Sequence, residues 1–517
     1  MDTIVSVAVR HLPTIVVVGL VIIGRYFWPR IINYVHFSRI PVLDKAYDGK
    51  PEHFMFHSAS MYEEGYKTRR NDVHRIRTPD GDHVIIPNAF LDHLRQKPDE
   101  QIDVTTAFMK LLENDYIHLF PSHHHTHIAN SVVKKELTRS LVKINPALSK
   151  AVAETVAEVL EDASEEWTPV TIHTRLLRIV AIVSGHVFVG PDLCRDPVYL
   201  DAAVNFTTDI TAAVPAVKRW PWIIRPLARY WEPQLAKVEG HRARMRAFLA
   251  PVIAERQARK ARGDAEMPSD TLQWMLNNTE AEGITDVAVI TNMQLLLTMA
   301  AIHTTTLTTT YILHDLVQRP EVVEACRKEI KEVLAASDSP DEMTTHALFN
   351  MKLVDSVMRE SQRLNPPFLD AFRRYTLKPV TLPDGTYLPA GCIIEAANKP
   401  VLLDPELYPN PTTFDPYRFV RLRTDPDAPD PLGFKNREQY QFVSITKENM
   451  SFGFGRHACP GRFFAANEIK LILANLLLNY DIKAMPIKDG KDGNIGVGGG
   501  PDPTREILFR RVKKLKK

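Results

Sequence analysis

Residues 452–464 read Phe-Gly-Phe-Gly-Arg-His-Ala-Cys-Pro-Gly-Arg-Phe-Phe, and Cys459 within them is the side chain best placed to do chemistry. Glycines at 453, 455 and 461 let the backbone come close to a flat surface. Pro460 suits the first position of a helix that continues through Ile469, Leu473 and Leu477. A cysteine just ahead of a helix N-terminus feels the positive end of the dipole, which favours the thiolate, the form that ligates metal. The bland alternative for a lone cysteine is a buried structural thiol; the flanking glycines and Phe452 favour the ligand. The other cysteines, Cys194, Cys326 and Cys392, show no Cys-x-x-Cys spacing, which excludes a zinc knuckle or disulfide framework and fits a reducing compartment.

Other clusters are less specific when taken alone. Six of the seven residues 304–310 are threonine, in a stretch, 286–319, without Pro or Gly. Threonine is a mediocre helix former, so the choice runs against local propensity and points to function; the alternative is a buried polar face bonded to its own backbone. Glu360 and Arg363 stand three apart, on one helical face, where a surface pair contributes only about 0.2–0.5 kcal/mol. Among His118, His123, His124, His125 and His127, the pair His123 and His127 has metal-ligand spacing but no third ligand, so the cluster reads as a polar loop near a channel. The glycine-rich run 496–500 has no helix and strand left to follow it and makes a poor nucleotide loop.

Phe452, Gly455, Cys459 and Gly461 match Phe-x-x-Gly-x-Arg-x-Cys-x-Gly, and the stretch resembles the haem-binding loop of the cytochromes P-450, with His457 where the family carries arginine. The resemblance implies Cys459 as the proximal metal ligand, Phe452, Gly455 and Gly461 as loop contacts, and His457, Arg374 and Lys134 as cations for the haem propionates. Glu360-x-x-Arg363, with Phe414-Asp415-Pro416-Tyr417-Arg418 after Pro409-Asn410-Pro411, is similar to the family's scaffold elements and implies a Glu360–Arg363–Arg418 network beneath the haem. Ala300-Ala301-Ile302-His303-Thr304-Thr305 resembles the distal pattern small-Gly-x-acid-Thr-Thr, with Ala301 replacing the glycine and His303 the acid. Thr304 then holds the oxygen-activating position and His303 is a proton-relay candidate. His at this place is similar to fungal secondary-metabolism members, the ent-kaurene-oxidase-like branch. Ala300, Ala301, Phe368, Leu369 and a loop at 108–120 are the implied apolar pocket.

The implied fold is mainly α, a single large cytochrome P-450-type fold with a small β lobe. The implied activity is that of a haem-thiolate monooxygenase, hydroxylating or epoxidising an apolar secondary metabolite such as a terpenoid, indole alkaloid or polyketide in one or several steps. Its cofactors are haem and O2, with electrons from NADPH through NADPH-cytochrome P-450 reductase and cytochrome b5 as a second candidate donor. A haem-thiolate isomerase or desaturase would share the site. A membrane-anchored haem or metal sensor would use the same cysteine but need no distal threonines.

The elements that must hold these residues follow from pattern. The 517 residues are 44% hydrophobic and 24% charged, which excludes a disordered or many-span protein, and a net charge of +2 argues for no nucleic-acid partner. With 22 Gly against 37 Pro, long helices punctuated by loops are expected. Residues 94–284 are helical in pattern almost throughout, and 286–319 predict a central helix on the order of 50 Å long. Alternating runs 73–77 and 83–87 around Pro79-Asp80-Gly81 predict a hairpin, and 371–394 around Pro383-Asp384-Gly385 a second sheet region; 425–431 is a surface loop.

The apolar run 12–24, extended by Tyr26, Phe27 and Trp28 and followed by Arg25, Arg30 and Arg39, predicts a retained transmembrane helix. A cleaved signal peptide lacks its small-residue site here, and a short buried helix is the other alternative. The expected organisation is an anchor at 1–30 and a haem domain at 31–517, single-pass in the endoplasmic reticulum with the haem domain in the cytoplasm. The basic tail 510–517 is a solvated segment.

Overall fold

A computed structural model describes residues 31–43, 51–221, 223–337, 339, 342–485 and 493–512; the expected anchor, 1–30, lies outside them. The stretch without Pro or Gly forms the helix Val287–Leu316, and the Asp286 carboxylate caps it by accepting the Ala288 N–H at 2.7 Å. This central helix of 30 residues is packed by Ile172–Phe188, Pro197–Lys218, Pro233–Arg262 and Lys352–Leu364. Among the described residues it is the one helix long and apolar enough to cross a membrane. Its residues from Ile290 to Leu316 nevertheless belong largely to the main core, where apolar surface on several faces is what a helix enclosed by other helices needs.

Of the described residues 59% are helical and 11% strand, the mainly α architecture expected. The largest sheet has five strands, in the order His74–Thr78, Gly81–Ile85, Ile393–Ala397, Asp370–Thr376, Ile102–Asp103. The first two form the expected hairpin, closed by Pro79-Asp80 with Thr78 paired to Gly81. Gly81–Ile85 pairs in parallel with Ile393–Ala397, which runs antiparallel to Asp370–Thr376. Around Pro383-Asp384-Gly385 the strands Val380–Thr381 and Tyr387–Leu388 make a second hairpin. A three-stranded sheet sets Glu506–Arg511 between Thr168–Thr171 and Tyr480–Ala484.

Four expectations are corrected. Residues 108–120 are not a loop but mostly two helices, Val104–Leu111 and Asn114–Ile117. Of the histidine cluster only His118 lies in a loop; the other four are helical, because Ser122 caps a helix, His123–Val132, its hydroxyl accepting the His125 N–H at 3.0 Å. The glycine-rich run forms a hairpin, Gly493–Ile495 with Gly498–Gly500, and a strand does follow it. Finally, Asp370–Thr376 does not alternate evenly; a bulge lies between Ala371 and Arg374, with Phe372 at φ +53°.

Candidate active site

The loop carrying Cys459 is folded on itself: Gly453 N–H donates to Met450 O and Cys459 N–H to Phe452 O, both at 2.7 Å. Gly455 has φ +75°, and a Cβ there would meet Arg95 Cβ at 3.0 Å, so two separate constraints require glycine. The helix after the loop is Arg462–Asn479, capped by Gly461 rather than opened by Pro460. Burial raises the Cys459 thiol pKa, while the backbone N–H groups of Gly461 and Arg462 and the Arg462 charge act in the opposite direction. Cys194, Cys326 and Cys392 are buried, whereas Cys459 is accessible.

Arg374 and His457 line one cleft, with Arg95 and Lys97 beside them. Arg374 is 5% exposed and lies over the Phe372 ring at 4.3 Å; burial lowers its pKa to about 10. Its Nη1 donates to Arg373 O at 2.8 Å. His457 Nε2 is 2.7 Å from Asp99 Oδ1, which also accepts from Arg456 at 2.6 Å. Burial, and then the Arg374 charge, lower the His457 pKa. Lys134 is exposed on a π-helical turn, Val133–Leu137, and does not join this pair. Its neighbour Val133 does reach the Cys459 loop, 3.7 Å from where a Cβ on Gly461 would sit.

Glu360, Arg363 and Arg418 meet in the interior at 0%, 2% and 8% exposure. Arg363 grips the carboxylate with Nε and Nη2 at 2.8 and 2.7 Å, Arg418 Nε reaches both oxygens at 3.2 Å, and the Asp415 N–H adds a donor at 3.0 Å. The remaining guanidinium donors go to the carbonyls of Leu402, Pro411 and Pro409. Both oxygens of the buried carboxylate thus have several donors.

On the central helix the threonine run divides. Thr304 is exposed, as is Ala300 one turn before it, and its hydroxyl donates to Ala300 O at 2.8 Å. Thr305, Thr306, Thr308, Thr309 and Thr310 are buried, and the last three donate to the carbonyls four residues back. His303 turns elsewhere: its Nε2 donates to Val204 O at 2.9 Å, which fixes the tautomer and leaves Nδ1 as acceptor, and burial lowers its pKa. His303 and Thr304 are therefore not in one hydrogen-bonded pair. Ala301 is half-buried beside them. Phe368 is 46% exposed and pairs with Gly498, while Gly500 faces Leu307 of the central helix. Leu369 packs instead into a small core with Phe54, Met61 and Tyr62.

An accessible cysteine at the head of the helix Arg462–Asn479, with a buried arginine and a histidine lining a cleft, has the donor set for a group that would take a thiolate ligand and carries carboxylates. These residues fit haem. The comparison with known families gives the family: residues 82–505 match the model of the family described as cytochrome P-450. The chain belongs to the cytochrome P-450 family. It is 34% identical over 459 residues to the cytochrome P-450 monooxygenase braC of Annulohypoxylon truncatum, covering 88% of each chain. It is 32% identical to the cytochrome P-450 monooxygenase olcJ of Penicillium canescens, over 96% of this chain and 92% of that one. The solved structure of retinoic acid bound cyanobacterial CYP120A1 matches at TM-score 0.66 and 19% identity, over 92% of this chain and all of that one, and shows the same fold.

Sequence reasoning missed several residues of this cytochrome P-450 site. Asp99 lies in a plain polar stretch, Lys97-Pro98-Asp99-Glu100, and only the fold brings it to His457. Arg95, against Gly455, carries no local signal either. His123 and His124 bind Asp103 and Glu282 respectively, and no cluster able to hold a metal ion occurs among the described residues.

Proposed function

We propose that this cytochrome P-450 is a membrane-anchored monooxygenase that oxidises an apolar secondary metabolite, a terpenoid, indole alkaloid or polyketide, with electrons from NADPH through a membrane-bound reductase and with cytochrome b5 as a second donor. When bound, haem supplies the O2 activation that thiolate ligation favours. The chain's own residues do the rest. The Gly461 and Arg462 amides favour the anionic sulfur at Cys459. Arg374 and His457 are the cations for the propionates, and Lys134 keeps a lesser claim from its helix beside the loop. Ala300 and Phe368 offer apolar surface to bind the substrate and exclude water. Thr304 holds its proton toward Ala300 O, which leaves the hydroxyl oxygen able to accept from a water or a substrate hydroxyl. His303 carries its proton on Nε2 and can accept another at Nδ1. Residues 1–30 serve as the anchor, in the endoplasmic reticulum, with 31–517 as the haem domain.

The observation that carries this reading is the accessible Cys459 at the head of the helix Arg462–Asn479. The test is the optical spectrum of the reduced, CO-bound protein. The parent shows the thiolate-ligated band; Cys459→Ala loses the band, haem retention and all turnover, and Cys459→His keeps at most haem without it. Wild-type turnover in Cys459→Ala would overturn the assignment.

A further inference from the structure

Directly opposed residues on neighbouring strands share a face of the sheet. Asp370 opposes Ala397 and Ala371 opposes Ala396; after the bulge, Arg374 opposes Ile394. Even alternation would have put Asp370, Phe372 and Arg374 on one face. The extra residue reverses this: Asp370 and Arg373 share one face, and Ala371 and Arg374 the other. The second face is that of Ile394, Ala396 and Phe454, where Arg374 reaches toward the Phe454 carbonyl. The bulge therefore decides that Arg374 points to the Cys459 loop.

It is not a relaxed feature, because Phe372 adopts a left-handed conformation that side chains avoid. Something must hold it. Arg373 Nη2 forms an ion pair with Asp370 Oδ2 at 2.7 Å, a contact that even alternation would not allow, and Arg373 Nε donates to Glu395 at 3.2 Å. Glu395 also accepts from the Tyr62 hydroxyl and lies 3.3 Å from His83 Nδ1. The five side chains are at most 6% exposed, yet His83 Nε2, Asp370 Oδ1 and Arg373 Nη2 have no hydrogen-bond partner. A buried ionic cluster left partly unsatisfied is a poor source of stability, and its best-attested use is to fix register.

We propose that Asp370, Arg373 and Glu395, with Tyr62 and His83, form a register lock whose task is to position Arg374 for the haem propionate. The inference rests on the proposed haem site. Asp370→Leu, Arg373→Met and Glu395→Leu made together should fold as stably as the parent, yet lose haem to an apo-myoglobin acceptor about tenfold faster or more, as Arg374→Ala does. Adding Arg374→Ala to the triple variant should then change nothing further. If the triple variant retains haem like the parent, or if the two effects multiply, the lock is overturned. Should the triple variant not fold, Tyr62→Phe with Asp370→Asn supplies the same cycle at smaller amplitude, read the same way. A parent without the thiolate band would instead sink the haem reading itself.

Discussion

The helices Lys352–Leu364 and Val287–Leu316 pack against each other and satisfy their polar groups in opposite ways. The first sends Glu360 and Arg363 outward into bonds with the segment 402–418, so that its polar atoms depend on chain about fifty residues away. The second turns the hydroxyls of Thr304, Thr308, Thr309 and Thr310 back onto its own carbonyls. A group locked by distant partners cannot move without unfolding them, whereas one bonded within its own helix can exchange that bond for a ligand at little cost. Rigidity is thus concentrated around Glu360 and adaptability along the face that bears Thr304.

That contrast can be broken most severely at Glu360. Glu360→Gln leaves two buried guanidinium groups facing a neutral amide, and should lower unfolding stability by about 3–5 kcal/mol, read by denaturant titration together with the yield of haem-loaded protein. Thr304→Ala should do the reverse, leaving stability and substrate affinity nearly intact while product formed per NADPH falls roughly tenfold or more, with hydrogen peroxide taking up the difference. Equal destabilisation by the two substitutions would erase the distinction.

A smaller effect sharpens it within one region. Glu468, on the helix that follows Cys459, is as buried as Glu360 but has only the Ser184 hydroxyl, at 2.8 Å, and burial raises its pKa from 4.5 to about 8. Its protonated form is stable in the fold, so its contribution is complete below pH 4.5 and declines as pH rises to about 8. Between pH 6 and 7, wild type should lose about 1 kcal/mol relative to Glu468→Gln, which titrates nowhere in that range, as measured by urea unfolding at each pH.

What could be read from sequence was what chain neighbours decide. The Cys459 loop declares itself because glycine, proline and cysteine act within ten residues, and the central helix because 286–319 lacks any breaker. The spacing of Glu360 and Arg363 gave their shared face but not their burial, which Arg418 and the Asp415 amide bring from elsewhere. Asp99 and Arg95 stayed hidden for the same reason. The threonines were visible as an anomaly, but which of them is exposed depends on helices packed around them. The alternation expected over 371–394 failed at Phe372 because a buried ion pair, formed across the sheet, outweighed the local preference.

A ribosome finishes Thr168–Thr171 long before the strand that pairs with it, Glu506–Arg511, exists. At about 5–20 residues per second the intervening chain takes on the order of 20 to 70 seconds to make. For that time the strand's hydrogen-bonding edge and the buried side of Val170 have no cover, and neither do the neighbouring turns of the body. Because Ile507 and Phe509 seal this sheet last, recovery of the protein from an expression host depends on translation speed and chaperone supply as well as on the stability of the finished fold.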